Sequence, residues 1–469
     1  MKNISGKITK LVMHINMYPK INNPLFTKKQ LIQLLWPLIV EQFLSVLIGM
    51  VDVLMVASVG ETTVSGVSLV DSINHLVIQV LFAMTAGGTV VCAQFIGGKD
   101  KKNAAKSGAQ LLLLTFAIML FVVTIFFCGG THILKLLFGQ VEPDVMSSAV
   151  KYMYFTVASF PFLAIYHSSA SIFRAQGNSR VSMLVSLGMN LFNIAGNAVC
   201  IFVLHMGVVG VALPTLVSRA LGAIVILLLV QKKGNELRIP SLKYFKPHGI
   251  LIKRILAIGI PNGIESGLFN VGKILLQSLV STLGTPSIAA YAVASNLVTY
   301  LYLPGNALGA AMITIVGQCY GAGQPEQAKQ YAKILLMLNY AIAAVIATVM
   351  IIWRHFWVGW YSVTGESAYY AAGLLLTHSI GMILWPVGFL LPYYFRAIGH
   401  ARFTMYVAIF AMALFRVGGA YLFVSALHKD VLWVWFAMML DWIFRVIIYL
   451  IAFLKKGFLK EKKKEVHVT

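Results

Sequence analysis

Long apolar runs recur along the whole chain and are separated by short polar or basic connections. Each run is long enough to cross a bilayer as a helix, which takes about 20 predominantly apolar residues. The pattern therefore predicts an all-α, polytopic membrane protein with twelve transmembrane helices. The predicted spans cover residues 33–58, 67–95, 108–129, 151–172, 181–204, 208–231, 255–280, 287–318, 333–353, 367–394, 403–426 and 431–454.

Parts of the first half of the chain recur in the second half, in the same order. The tripeptide Phe-Arg-Ala at 173–175 occurs again at 395–397. Other matched pairs, each 224 positions apart, are Pro37 with Pro261, Glu41 with Glu265 and Gly60 with Gly284. Two homologous halves are a common plan of membrane transporters. We therefore expect two pseudo-symmetric six-helix lobes.

This plan divides the chain into five segments. The predicted segments are a basic cytoplasmic N-terminal segment at 1–32, an N-lobe with spans 1–6 at 33–231, a cytoplasmic linker at 232–254, a C-lobe with spans 7–12 at 255–454, and a basic cytoplasmic tail at 455–469. The N-terminal segment is expected to be loosely structured.

Composition and charge agree with a membrane protein. Hydrophobic residues make up 59% of the chain and charged residues 11%, and the mean hydropathy is +0.82. Most of the 37 basic residues lie in alternate loops, at the termini and in the linker, as expected for the cytoplasmic side of a membrane. The opposite loops carry only Lys135, Lys151, Arg354 and Lys429. Both termini are thus predicted to be cytoplasmic, in a plasma membrane or, for a bacterium, its inner membrane.

The net charge of +22 has the same explanation, so we expect the lipid bilayer and not nucleic acid as a partner. The chain has no nucleotide-binding loop, nucleophile elbow, zinc motif or haem motif. We therefore expect no enzyme activity and no cofactor. Gradient-driven transport of small organic molecules remains, and we expect a monomer.

The first span contains two carboxylates, Glu41 and Asp52, eleven residues apart and so on nearly the same helix face. An ionisable group in a span costs at least about 2.5–3.5 kcal/mol unless it has a partner or faces a wet cavity. Possible companions of Asp52 are Asn190, Asn193 and Asn197 at helical spacing, and Thr215 after Pro214. Together these groups could bind H⁺ or Na⁺, for which Asp52 and Asn193 would be the metal ligands, or they could form interhelical hydrogen bonds.

The second half has different polar residues in its spans. Leu276 occupies the position equivalent to Asp52. A possible second-lobe polar site consists of Glu265, Lys273, Arg416 and Asp441, in which mutual neutralisation is the leading interpretation. Asp441 and Arg445, four residues apart, are predicted to pair. Glu41 and Glu265 each follow a proline by four residues, which suits a structural bond at a helix break as well as a transport role.

Several motifs resemble those of the multidrug and toxic compound extrusion (MATE) family. They are PLIVEQ and MVDVLMVASVG in the first span, followed by AQFIGG, FRAQGNSR, NLFNIAGN and MGVVGVALPT. The resemblance covers about residues 31–455. It implies two six-helix lobes around a central cleft and export of organic, cationic or amphipathic compounds in exchange for H⁺ or Na⁺.

The resemblance also implies roles for single residues. Asp52 matches the first-span acid that binds the coupling ion, Asn193 matches the fifth-span asparagine of that site, and Thr215 matches its sixth-span hydroxyl. Asn197 stands where several members have aspartate, which favours H⁺ over Na⁺. Phe269 stands where well-known members have a seventh-span carboxylate. Coupling is therefore expected in the first lobe.

Other functions remain open at this point. Arg219, Lys273, Arg416 and Arg445 lie within spans, and cationic cavities are a feature of lipid-linked precursor flippases of the same superfamily. A channel or a membrane-embedded enzyme is a further alternative.

Overall fold

The structure, a computed structural model, describes residues 23–455 except Lys233, Gly234, Glu236 and Pro240. All regular secondary structure in this part of the chain is helical. The α-helices are α1 (Lys28–Ala57), α2 (Glu61–Gly97), α3 (Lys101–Phe138), α4 (Pro143–Ala158), α5 (Phe160–Ala175), α6 (Ser179–Ala198), α7 (Val209–Gln231), α8 (Gly249–Ser281), α9 (Thr285–Gly321), α10 (Pro325–Ile352), α11 (Arg354–Gly359), α12 (Gly365–Gly381), α13 (Leu391–Ala397), α14 (Ala401–Phe410), α15 (Gly419–Tyr421) and α16 (Leu432–Leu454).

Helical turns of other types extend or join several of these helices. The π-helical turns are Val199–Val203 after α6, Pro386–Leu390 before α13, and Ala411–Gly418 and Leu422–Ala426 on either side of α15. A 3-10 turn, Leu242–Phe245, precedes α8. The π-helical turns were not predicted, because a single inserted residue leaves the apolar pattern almost unchanged.

Twelve helical segments in the described chain coincide with the twelve predicted spans. Nine of these segments are single helical runs long and apolar enough to cross a membrane, and two are bent pairs, α4 with α5 and α12 with α13. The remaining segment is α8, which is 33 residues long and carries Glu265 and Lys273. The predicted all-α, twelve-helix fold is confirmed.

The spans predicted at 151–172 and 367–394 are bent in the structure. The bend is 44° between α4 and α5 and 70° between α12 and α13. Pro161 lies in the first turn of α5, and Pro386 begins the π-helical turn before α13. Proline has no backbone N–H and clashes with the preceding turn, so a straight helix cannot continue through it without strain.

The chain divides into two compact units. We call Gln33–Gly263 the N unit, and the described residues up to Ile32 and from Ile264 onwards the C unit. The boundary falls within α8, so the first half of this helix packs with the N unit. A Cβ atom added to Gly87 of α2 would lie only 2.5 Å from the carbonyl oxygen of Ile255, which shows how closely these two helices approach.

Each unit has its own apolar core. Met119, Met153 and Phe160 are among the fully buried side chains of the N unit. Leu297, Trp385 and Trp442 are buried in the C unit, where aromatic rings pack face to edge around His378. Close van der Waals packing of these side chains holds in place the helices that carry the polar groups described below.

The backbone repeats the internal symmetry of the sequence. Gly60 precedes α2 with a φ of 132°, and the equivalent Gly284 precedes α9 with a φ of 86°. Side chains other than glycine rarely adopt these angles. Glycine is therefore required at the same turn in both halves.

The described end of the N-terminal segment is ordered, which corrects the expectation of a loose structure there. Phe26 is buried in the C unit, its backbone N–H donates to the Tyr331 hydroxyl at 3.0 Å, and that hydroxyl donates to the Phe26 carbonyl at 2.8 Å. Gln327 bonds the backbone of Asn23 and Leu25 in the same way. The rest of that segment, 1–22, and of the predicted tail, from 456 onwards, lies outside the described residues.

Candidate functional site

The four residues of the predicted coupling site are neighbours in the N unit. Asp52 is partly exposed on α1, whereas Asn193 and Asn197 of α6 are 7% and 1% exposed. Asn197 Nδ2 donates to Asp52 Oδ1 at 3.3 Å. The Asn193 amide satisfies its neighbours when its nitrogen donates to Asp52 Oδ1 at 3.2 Å and its oxygen accepts from Thr215 Oγ1 at 3.1 Å. One carboxylate oxygen thus accepts two amide N–H groups.

Small residues and proline position this group locally. Asn193 and Asn197 are four residues apart, so both point from the same face of α6. A Cβ atom on Gly196 would lie 2.8 Å from Pro214 of α7, so glycine at this position permits the close approach of α6 and α7. The backbone N–H of Thr215 also donates to the Asn193 oxygen, at 3.1 Å, so Thr215 still binds Asn193 when its single hydroxyl proton is donated to the carbonyl of Val211.

A second carboxylate, Asp71 of α2, lies near this group and was missed in the sequence. Its side chain is exposed, and Tyr152 Oη donates to its Oδ1 at 3.5 Å. Asp71 interacts electrostatically with Asp52, and Arg219 of α7 interacts with both acids. The signal was available, because Asp71 interrupts the apolar run SLVDSINHLV as Asp52 interrupts the first span.

Arg219 is held by the bend between α4 and α5. Its Nη1 donates to Ser159 Oγ at 2.7 Å, and Ser159 is the residue between the two helices. Within the described residues, no carboxylate lies within 4.0 Å of its guanidinium group. The positive charge of Arg219 therefore interacts with Asp52 and Asp71 over a longer distance than that of an ion pair.

The other two candidates in this half have different partners. Glu41 accepts a hydrogen bond from Ser182 Oγ at 3.5 Å and interacts electrostatically with Arg174. Asn190 donates to Ser186 Oγ at 3.3 Å, and among the described residues no hydrogen bond joins it to Asp52. That Asn190 accompanies Asp52 therefore stays a prediction.

In the C unit, Glu265 is part of a structural pair and not of a larger polar site. Arg396 Nη2 donates to Glu265 Oε1 at 2.7 Å, and Arg396 Nε donates to Thr404 Oγ1 at 3.3 Å. Glu265, Arg396 and Thr404 are the repeat equivalents of Glu41, Arg174 and Ser182. In both halves the glutamate after the proline thus interacts with the arginine of the Phe-Arg-Ala motif, through an ion pair in the C unit and electrostatically in the N unit.

The remaining charged residues of the C unit form a separate group. The predicted pair is confirmed, because Arg445 Nε donates to Asp441 Oδ1 at 2.7 Å. Arg416 Nη1 lies 3.8 Å from Asp441 Oδ2. Lys273 and Arg416 each lie 5.2 Å from the centre of the Phe269 ring. The proposed set of Glu265, Lys273, Arg416 and Asp441 is therefore two groups, with Glu265 apart from the other three.

The comparisons with known proteins agree with this architecture. The MatE family model matches residues 37–199 and 261–422, once in each half. The uncharacterized transporter YisQ of Bacillus subtilis is 26% identical over 428 residues, which are 89% of this chain and 92% of YisQ. The multidrug export protein MepA of Staphylococcus aureus (strain NCTC 8325) is 22% identical over 381 residues, 81% of this chain and 83% of MepA.

Solved structures show the same fold. A crystal structure of MATE in the bent conformation superposes with a TM-score of 0.84 at 20% identity and covers 91% of this chain and 94% of its own. A transporter of the MOP superfamily from Pyrococcus furiosus, described as having a binding pocket of reverse polarity that suggests a different function, has a TM-score of 0.83 at 20% identity and covers 91% and 95%. Because the family model matches most of the chain and does so in both halves, this protein belongs to the MatE family of membrane transporters.

Proposed function

We propose that this protein is a secondary active antiporter of the cell membrane that exports organic, cationic or amphipathic compounds in exchange for H⁺. The observation that carries the proposal is Asp52, a carboxylate on a membrane helix whose Oδ1 accepts hydrogen bonds from two asparagines. A membrane helix rarely carries an acid that serves no transport or structural purpose. The relative MepA, a multidrug export protein by name, supports export of drug-like compounds.

The charges around Asp52 support exchange. Asp52, Asp71 and Arg219 together carry one net negative charge when both acids are ionised. Either a proton on Asp52 or an organic cation nearby would neutralise that charge. Two cations at once would repel each other, with an energy of about 4 kcal/mol at 4 Å near a protein surface. Proton uptake and release of a cationic compound are therefore coupled by simple competition.

The hydrogen bonds favour H⁺ over Na⁺ as the coupling ion. Na⁺, like other hard cations, requires several converging oxygen ligands. Here the amide nitrogens of Asn193 and Asn197 donate to the Asp52 carboxylate, and the Asn193 oxygen accepts a hydrogen bond from Thr215. Na⁺ could bind Asp52 and Asn193 only after the amides rotate. A proton needs one carboxylate oxygen and no such rearrangement.

Asp52→Asn tests this proposal. Parent and variant are reconstituted in liposomes, and ethidium transport is driven by a pH gradient in Na⁺-free buffer or by a Na⁺ gradient at constant pH. We expect the parent to respond to the pH gradient. Asp52→Asn should bind ethidium but lose energised transport, because asparagine keeps the hydrogen-bonding shape and cannot exchange a proton.

Glu265→Gln is the matched control, since it also neutralises an acid in a membrane helix and retains a hydrogen bond to Arg396. It should reduce transport much less. If Asp52→Asn accumulates ethidium against a gradient as the parent does, the coupling site lies elsewhere. A response of the parent to Na⁺ alone would contradict proton coupling.

A lipid-linked precursor flippase is the second candidate, because Lys273, Arg416 and Arg445 give the C unit a cluster of cations. The similar Pyrococcus furiosus structure, with its pocket of reverse polarity, keeps this alternative open. A parent protein that moves fluorescent phospholipid between leaflets but leaves ethidium in place would favour it.

A further inference from the structure

The C unit holds more positive than negative charge among the groups around Asp441. We call Lys273, Arg416, Arg445 and Asp441 the cationic cluster. Asp441 is fully buried, and Arg445 and Arg416 are 2% and 7% exposed, whereas Lys273 is exposed. One carboxylate thus stands against three cations. A net charge of this size on membrane helices is costly unless a counter-ion binds there.

The two arginines of the cluster differ in whether their hydrogen-bond donors have acceptors. Arg445 is satisfied, because Nε bonds Asp441 at 2.7 Å and Nη2 donates to the carbonyl of Ala408 at 3.0 Å. Arg416 Nε and Nη1 are buried and donate no hydrogen bond to any described residue. The contact of Arg416 with Asp441, at 3.8 Å, is too long for a hydrogen bond. Buried donors in native proteins nearly always have an acceptor. The acceptor for these two donors of Arg416 is missing among the described residues.

Phe269 brings the exposed lysine to the same place. The ammonium group of Lys273 and the guanidinium of Arg416 both lie 5.2 Å from the centre of its ring. The two cations interact electrostatically. The face of the Phe269 ring attracts each of the two cations. An anion in contact with both cations would relieve the repulsion between them.

We propose that the cationic cluster binds an oxyanion, a carboxylate or phosphate group, that is part of the transported compound. Arg416 supplies the planar donors, and Lys273 supplies a mobile charge at the exposed edge. This inference rests on the proposed export function and adds to it a preference, among the exported compounds, for those that carry an anionic group beside a cationic one. The Asp52 group in the N unit would exchange the proton, and the cationic cluster would select the anion.

The test compares norfloxacin, which has a carboxylate, with its methyl ester, which does not. Binding to the purified protein in neutral detergent is followed by tryptophan fluorescence, because all tryptophans except Trp36 lie in the C unit. Parent protein should bind norfloxacin about tenfold or more tighter than the ester, as expected for a hydrogen bond between charged groups. Lys273→Gln should remove most of this preference and leave binding of the ester unchanged.

Matched variants keep the test falsifiable. Lys429→Gln removes another lysine that lies over an aromatic ring of the C unit, Trp433, and should retain the preference. Lys273→Arg should retain it as well, and Arg416→Gln should lose it. If Arg416→Gln does not fold, Lys273→Gln alone decides. An equal affinity of the parent for acid and ester, or a preference that survives Lys273→Gln, would overturn the proposal.

Two further measurements complete the test. The first distinguishes a lipid headgroup from a transported compound as the source of the oxyanion, and the second distinguishes failure of this proposal from failure of the proposed export function. Phosphatidylglycerol is added to the parent and to Lys273→Gln, and its binding is followed by the same tryptophan fluorescence. If it binds the parent in a way that depends on Lys273 and norfloxacin does not, the cluster is a lipid site and the proposal is wrong. Ethidium carries no anionic group, so its transport tests the export function alone, and Lys429→Gln should transport it as the parent does. Loss of ethidium transport in the parent would refute the proposed export function without affecting the measured preference for the acid.

Discussion

Asp441→Asn is expected to destabilise the protein much more than Asp52→Asn, although both changes remove a carboxylate from a membrane helix. Asp441 is fully buried and binds Arg445 at 2.7 Å, with Arg416 at 3.8 Å. Removal of one partner from a buried ion pair costs about 3–5 kcal/mol, because the other charge stays buried without compensation. Asparagine can still accept one hydrogen bond, worth about 0.5–1.5 kcal/mol. The net loss for Asp441→Asn is therefore about 2–4 kcal/mol.

For Asp52→Asn the same reasoning gives a small effect. Asp52 is partly exposed, its hydrogen bonds come from neutral amides at 3.2 and 3.3 Å, and no cation lies within 4.0 Å of it among the described residues. An asparagine oxygen can accept the same hydrogen bonds. We expect a change of about 1 kcal/mol or less.

Thermal unfolding of the purified variants in one detergent measures this difference. Tryptophan emission reports on the C unit, where all tryptophans but Trp36 lie. Asp441→Asn should unfold at a clearly lower temperature than the parent. Asp441→Asn combined with Arg445→Gln should recover part of the loss, because one uncompensated charge is removed. Glu366→Gln, an exposed acid of the same unit, is the control and should unfold as the parent does.

A parental unfolding temperature for Asp441→Asn would refute the reasoning. It would mean that the two buried arginines need no counter-charge from the protein. The excess positive charge of the cationic cluster would then have another explanation than a missing anion.

Two other predictions concern topology and the N-terminal segment. Reporter fusions after Glu142 and after Lys233 should report opposite sides of the membrane, and the same side for both would remove the predicted topology. Tyr331→Phe should weaken the attachment of Phe26 by about 1 kcal/mol for each lost hydrogen bond, so that trypsin cleaves several-fold faster after Lys28 and Lys29. An unchanged cleavage rate would show that the apolar contact of Phe26 alone holds the segment.

The helices could be predicted from the sequence because length and hydropathy alone decide where a bilayer can be crossed. Part of the cluster around Asp52 could also be predicted, because the spacing of Asn193 and Asn197 fixes one helix face and Thr215 directly follows Pro214. The proximity of Asp52 on α1 to these residues of α6 and α7, far away in the chain, was implied by the resemblance to the MATE family.

Contacts between distant helices could not be predicted in the same way. Nothing in the sequence near Glu265 identifies Arg396 as its partner, and the grouping of Glu265 with Lys273 and Arg416 assumed that charged residues of one half meet at one place. The hydrogen bond of Arg219 to Ser159 depends on the break between α4 and α5, which hydropathy does not show. Asp71 was an oversight of a different kind, because its signal was as clear as that of Asp52.

The duplicated glutamate–arginine pairing has a consequence for how this protein came to have two different halves. The two halves of a duplicated chain can be compared position by position, and here both keep an electrostatic interaction between equivalent residues, Glu41 with Arg174 and Glu265 with Arg396. The positions that hold charges for other purposes have changed, since Asp52 is matched by Leu276 and Lys273 by Gly49. The residues that link the helices are thus the same in both copies, whereas an acid at position 52 and a base at position 273 each occur in one copy only.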